Sequence, residues 1–377
     1  RAGATAATSP AGRTAPRALV HTAADQPDAD RSAAHADDHV APHDGAAATS
    51  GAAPMRAVVV LTDLRADLAA SGVSVEHPGG WWSHRARAMG TRVDVVAHDA
   101  PPDSASCVDG LLERCEASWS RFRPDSDLSA LNRSPRSCTS VSPLLERALI
   151  RARAAWSATG GRFDPTVLDA VEHAGYDRDF RALDPRPRPV PTGRRVPGMS
   201  RVHVGRGHVV RPVGLRLDLG GIGKGLAADL LAAELLARGA DSVCVSVGGD
   251  VRVAGTAPTG GWRIPVDDSH RDGVAMVAVL DGGALATSST RVRRWPSEDG
   301  GWIHHLVDPT TGRPVESGVT SVTVAAAEAW WAEVLAKAAL VAGPRDGAEL
   351  MREAGASGWI GTDDGQVIEV GGPGCSL

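Results

Sequence analysis

Lysine is almost missing from this chain. Of 40 basic residues in 377, only Lys224 and Lys337 carry an ammonium group, and the rest are arginines. Retaining two lysines against that background marks both positions as candidates for a site, Lys224 in "DLGGIGKGLAADLL" and Lys337 in "WWAEVLAKAAL". An excess of positive charge is missing too. A formal net charge of -5 gives no electrostatic case for nucleic acid or an anionic membrane surface. The five cysteines (Cys107, Cys115, Cys138, Cys244, Cys375) form no CxxC pair and have no histidine at ligand spacing. That argues against structural zinc and a disulfide framework, and for a reducing compartment. No apolar run reaches the ~20 residues that span a bilayer. The N-terminus lacks the basic, apolar and small-residue order of a secretion signal, so the expected location is the cytoplasm, without membrane insertion.

Residues 1–54 hold one Leu, two Val and no aromatic residue, too little apolar surface to offset ordering entropy, and are expected to be disordered. Their histidines (His21, His35, His39, His43) read as polar filler in an Ala-rich tail rather than a metal site. The first methionine is Met55, and a start there would remove the tail. Residues 55–81 form a poorly defined lead-in, and 82–377 the ordered domain.

Within that domain "RVDVVAHD" alternates like a half-buried strand. "SASCVDGLLERCEASWSRF" and "SPLLERALIRARAAWSATGG" have helical spacing, the second opened by Ser142-Pro143 and closed by Gly160-Gly161. A Pro-rich loop, "DPRPRPVPTGRRVPG", precedes strands at "RVHVGRGHVVR" and "GLRLDLGG". "GKGLAADLLAAELLARG" reads as the strongest helix, followed by a buried strand, "SVCVSVGG". Further strands are expected at "WRIPVDD", "VAMVAVLDGGALATSS", "IHHLVDP" and "VTSVTVAA", and a last helix from Ala329 to about Val341. Strands and helices mix without regular βαβ alternation, which favours one α+β domain.

Four Gly- or hydroxyl-rich strand ends carry the candidate chemistry. "LDLGGIGKG" joins Asp218 to a helix beginning near Lys224, a geometry that offers backbone N–H groups and a dipole end to an anion. It fits neither the P-loop nor the GxGxxG spacing. "SVGGDVRVAG" supplies Gly248, Gly249 and Asp250, and "ALATSS" a hydroxyl cluster. "HHLVDPTTGRPV" places His305, Asp308 and Thr311 together, although DPTTG is also ordinary turn chemistry.

In order, "MGTRVDVV", "SRFRPDSDLSALN", "GGRFDPTV", "LDLGGIGKGLAAD", "VSVGGDVRVAG", "ALATSS" and "HHLVDPTTGRPV" resemble the ApbE family of FAD:protein FMN transferases over roughly residues 82–365. The resemblance implies a single T-fold-like α+β domain with mixed or antiparallel sheets and flanking helices. It implies FAD as substrate, Mg2+ as cofactor, and transfer of FMN through a phosphoester to a Thr or Ser of a target flavoprotein, with release of AMP. Some relatives instead hydrolyse FAD. By position it implies Met89, Gly90 and Thr91 at the flavin, with Ser120, Phe122, Asn132 and Asp164 also in the site. It places Asp218, Gly221 and Lys224 at phosphate and metal, with the Gly221 carbonyl a metal ligand. Gly248, Gly249, Thr287, Ser288 and Asp308 complete the binding set, Pro309 matches the same block as Asp308, and His305, Lys224 and Asp250 stand nearest the chemistry.

One block departs from the family. Where the family has "ADALATA", with Asp and Thr binding metal from one helix face, this chain has "AEVLAKA", with Glu333 and Lys337. An i,i+4 pair still shares a face, but an ammonium has only donors and cannot ligate a cation. Three readings follow. Lys337 takes the ion's place; or metal binds through Glu333 and the Gly221 carbonyl with Lys337 swung aside; or catalysis is lost and an FAD-binding protein remains.

Overall fold

The computed structural model describes residues 73–77, 79–184, 186–266 and 276–371. The expected disordered tail and most of the lead-in lie outside these residues.

A nine-stranded sheet organises the described chain. A meander of β1 (Val73–His77), β2 (Trp81–Ala88) and β3 (Thr91–His98) forms one edge, so part of the expected lead-in is sheet. The chain then runs through α1 (Ser104–Trp119), α2 (Asp127–Arg133), β4 (Cys138–Ser140), α3 (Pro143–Ala158) and α4 (Leu168–His173). Next come β5 (His203–Gly205) and β6 (His208–Val210), which close a small sheet with β4. The long helix α5 (Gly223–Ala237) leads to β7 (Ser242–Val247), β8 (Asp250–Gly255), β9 (Trp262–Val266), β10 (Met276–Leu280) and β11 (Gly283–Ser289). Two short pairs follow, β12 (Arg294–Pro296) with β13 (Trp302–His304) and β14 (Val307–Asp308) with β15 (Arg313–Pro314). The chain ends through β16 (Val319–Ala326), α6 (Ala329–Ala342), α7 (Pro344–Glu353), β17 (Ser357–Thr362) and β18 (Val367–Val370).

The main sheet runs β1-β2-β3-β7-β8-β11-β16-β17-β18, and every pairing in it is antiparallel. Period-2 alternation gives it two faces. Val93, Val95, Val243, Val245, Val322 and Val324 face α5 and α6 in the main core. Val251, Val253, Leu285 and Trp359 face a second cluster capped by Trp262 and Ile264 of the β9–β10 hairpin. β8 therefore turns Asp250 and Arg252, not its valines, toward the helices, where Arg252 pairs with Asp229 of α5 at 3.3 Å. α5 and α6 cross so closely that a Cβ on Gly225 would lie 2.3 Å from the Ala329 carbonyl oxygen. Asp229 fixes the start of α6 by accepting the Ala329 and Trp330 N–H groups, both at 2.9 Å.

Three expectations need correction. "GLRLDLGG" is not a strand. Its leucines alternate and are buried, but its backbone is paired by side chains and loops: the Asn132 amide exchanges two 2.8 Å hydrogen bonds with Leu217, and the Asp218 N–H donates to Pro165 O. Local alternation cannot distinguish that from a ladder. "IHHLVDP" divides into β13 and β14 around His305 and Leu306. α6 is not the last helix: Gly343, at φ +89°, ends it, and α7 follows before β17 and β18.

Candidate active site

The sheet delivers two tight turns beside the start of α5. Met89 and Gly90 join β2 to β3 with φ of +53° and +67°, in a two-residue hairpin closed by Ala88 opposite Thr91. A left-handed methionine is uncommon; here its N–H is held by Glu116 at 2.8 Å. Gly248 and Gly249 make the matching turn between β7 and β8, and a Cβ on Gly248 would meet Thr91 Oγ1 at 2.7 Å. Because β3 pairs with β7, both turns lie at the same end of the sheet.

Beside them Lys224, Asp250, Glu333 and Lys337 form one charge cluster. Glu333, 1% exposed, sits on the buried face of α6, and its Oε1 accepts from Lys224 Nζ and Lys337 Nζ, each at 3.0 Å. Its Oε2 accepts the Gly225 N–H at 2.9 Å, occupying a first-turn amide of α5 that an external anion would otherwise use. Lys224 also donates to Asp250. Burial raises the Glu333 carboxyl, but the two ammonium groups and the Gly225 N–H outweigh it and hold the group down at about 2. Burial pushes Asp250 up to about 6 despite Lys224. The lysines diverge. Burial would lower Lys224, yet Asp250 and Glu333 hold it above the ordinary lysine range, whereas at Lys337 burial and the neighbouring Lys224 outweigh Glu333 and depress it.

A cleft of about 270 Å³ opens above this floor. Both lysines line it, with side chains 18% and 16% exposed. Another part of its lining is aromatic. Arg121 lies over both Phe122 and Tyr176, its guanidinium carbon 4.1 and 4.7 Å from the ring centroids, donating to Tyr176 O at 2.8 Å and reaching Asp218 at 3.5 Å. Tyr176 packs edge-on to His305 and accepts at its hydroxyl from Arg293 at 3.2 Å. His305 Nδ1 lies 3.3 Å from Arg293 O, which places the ring proton on Nδ1 and leaves Nε2 as acceptor. Burial, Arg293 and Lys337 push this imidazole well below its ordinary value, so it is neutral at neutral pH.

Of the residues expected at the site, Met89, Gly90, Ser120, Phe122, Asp164, Asp218, Gly221, Lys224, His305, Pro309 and Lys337 line the cleft. Asp250 and Glu333 lie beneath it, bonded to Lys224. Thr91, Asn132, Gly248, Gly249, Thr287, Ser288 and Asp308 are outside its lining. Asn132 clamps Leu217, Thr287 Oγ1 is 2.9 Å from Thr323 Oγ1 across two strands, and Asp308 caps its turn through the Thr310 N–H at 2.8 Å. Sequence reading passed over Arg121, Phe163, Tyr176 and Arg293. The available signal was that Tyr176 is the chain's single tyrosine.

The residues at the expected metal position do not fit a divalent cation. Among the described residues no three His, Cys, Asp or Glu side chains gather as ligands. Both Glu333 oxygens already have donors, and Lys337 brings a third donor group rather than an oxygen. Two ammonium groups against two carboxylates leave the cluster neutral. One net negative charge at 4 Å from a dication would supply roughly 8 kcal/mol at an effective dielectric near 20, and Lys337 removes that attraction.

The sequence is 33% identical over 270 residues to the FAD:protein FMN transferase of Treponema pallidum, covering 64% of this chain and 72% of that protein. It is 30% identical to that of Vibrio cholerae, covering 64% and 73%. Among solved structures, the Vibrio cholerae flavin transferase ApbE superposes with a TM-score of 0.63 at 25% identity, over 77% of this chain and 96% of the other. The ApbE protein of Thermotoga maritima superposes at 0.69 and 28%, over 77% and 96%. The pattern defining the ApbE family matches residues 89–358, and the chain belongs to that family.

Proposed function

We propose that this chain is an FAD:protein FMN transferase: it cleaves the pyrophosphate of FAD and attaches FMN through a phosphoester to a Thr or Ser of a target flavoprotein, releasing AMP. One observation carries the reading. A pair of lysines and an aromatic group of Arg121, Phe122 and Tyr176 line one and the same cleft. The first suits a pyrophosphate and the second a flat, partly apolar ring system.

In the proposed step the acceptor hydroxyl oxygen attacks the phosphorus on the FMN side. A new P–O bond forms, the bridging P–O bond breaks, and AMP leaves with that electron pair. His305, neutral with Nε2 available, is positioned to take the hydroxyl proton. The proton then passes from His305 to the phosphate oxygen of the departing AMP. Lys224, which stays charged because of Asp250 and Glu333, neutralises the oxygens as charge moves to the leaving group. The Mg2+ expected from the family enters no step, because the donor set does not fit it.

The flavoprotein acceptor and the cytoplasmic setting are part of the proposal. No described helix is long and apolar enough to cross a membrane. The test incubates the protein with FAD and a flavoprotein that carries an acceptor Thr, following AMP by chromatography and flavin fluorescence on the denatured acceptor. AMP and covalent flavin should rise together. FAD retained without AMP release would overturn the reading.

A further inference from the structure

We infer that the Lys337 ammonium is this protein's built-in substitute for a divalent cation, so that FAD is bound and its pyrophosphate neutralised without metal. The inference rests on the transferase reading above and concerns how that same site handles phosphate charge.

The geometry is that of a prepared cation. Lys337 emerges from the middle of α6, its ammonium fixed 3.0 Å from Glu333 Oε1. Its stem lies against the loop before α5, where a Cβ on Gly221 would stand 3.3 Å from Lys337 Cδ and 2.9 Å from Phe163 Cε2. Glycine at 221 therefore makes room for both the lysine and the aromatic ring. The side chain is mostly buried yet lines the cleft, so its charge is presented inward rather than to bulk solvent.

The two departures from the family make sense only together. A cation brought by the chain needs an anion to hold it, and the longer arm of Glu lets one carboxylate bridge Lys224 and Lys337 while its other oxygen caps Gly225. An ordinary i,i+4 surface pair would leave its carboxylate in water, where such pairs contribute little; Glu333 is 1% exposed. Lysine rather than arginine also fits the task, because an ammonium is a compact point charge with three donors. Both lysines of the chain are spent on this one cleft.

The test titrates the protein with FAD by flavin fluorescence, in chelator and in excess Mg2+, and measures AMP release in parallel. The wild-type dissociation constants should agree within about twofold between the buffers. Lys337→Thr should weaken FAD binding in chelator by roughly tenfold or more, and Glu333→Asp with Lys337→Thr should regain it only when Mg2+ is added. Thermal melts identify a variant that has merely unfolded, and the wild-type comparison needs no variant. FAD bound by the wild type only with Mg2+ overturns this inference and leaves the transferase reading standing. FAD bound in neither buffer overturns both.

Discussion

The floor and the wall of the cleft are built on opposite principles. The floor places four ionised groups in a space where each depends on the others, with Glu333 holding two ammonium groups at 3.0 Å and an amide at 2.9 Å. The wall packs one guanidinium over two adjacent rings and completes itself with Trp295 and Phe180 beside Tyr176. A buried charge cluster loses most when one member goes, because a partner is left buried and unpaired. An aromatic wall loses contact area and a cavity's worth of packing, a more local cost.

The sharpest way to break the contrast is Glu333→Gln. It leaves Lys224 and Lys337 facing a neutral amide, and should cost about 3–5 kcal/mol by urea denaturation at neutral pH. The pH dependence tests the cause. The folded pKa of Glu333 lies near 2, below its usual 4.5, so its stabilisation is complete above pH 4.5 and is lost as pH falls from there toward 2. The gap between wild type and Glu333→Gln should shrink across that window. Asp250 has the opposite sign: raised to about 6, its contribution is present below its ordinary value of 3.8 and lost as pH rises through 6.

On the wall, Tyr176→Ala should cost roughly 3 kcal/mol in denaturation, with little change in slope between pH 2 and 4.5. Asn132→Ala removes both bonds to Leu217 and should cost roughly 2 kcal/mol. It should also weaken FAD binding, since Leu217 begins the loop that carries Asp218 and Gly221. Tyr176→Phe keeps the ring and loses the Arg293 contact. About 1 kcal/mol or less is expected, with melting temperature the readout.

Particular residues show where sequence reading reached its limit. Lys224 and Lys337 were visible because lysine is so rare, and Glu333 because it stands in the block that departs from the family resemblance, four residues before Lys337 on the same helix face. That the same Glu333 oxygen also receives Lys224, 109 positions earlier in the chain, follows only from α5 crossing α6 at Gly225. Tyr176 sits in "HAGYDRD", where no local pattern marks a binding wall. The 214–221 segment was misread because alternation reports which side chains are buried and not what pairs the backbone.

By itself the sequence determined the α+β class, since period-2 valines and Gly-terminated helices are local properties of the chain. The antiparallel pairing throughout the main sheet was decided by tertiary structure. The sequence also determined the family, and that the metal-binding block had changed. Tertiary structure decided what the change does: whether Glu333 and Lys337 point outward as a surface pair or inward onto Lys224 depends on how closely two helices pack, and a glycine at 225 lets them approach until both ammonium groups share one carboxylate oxygen.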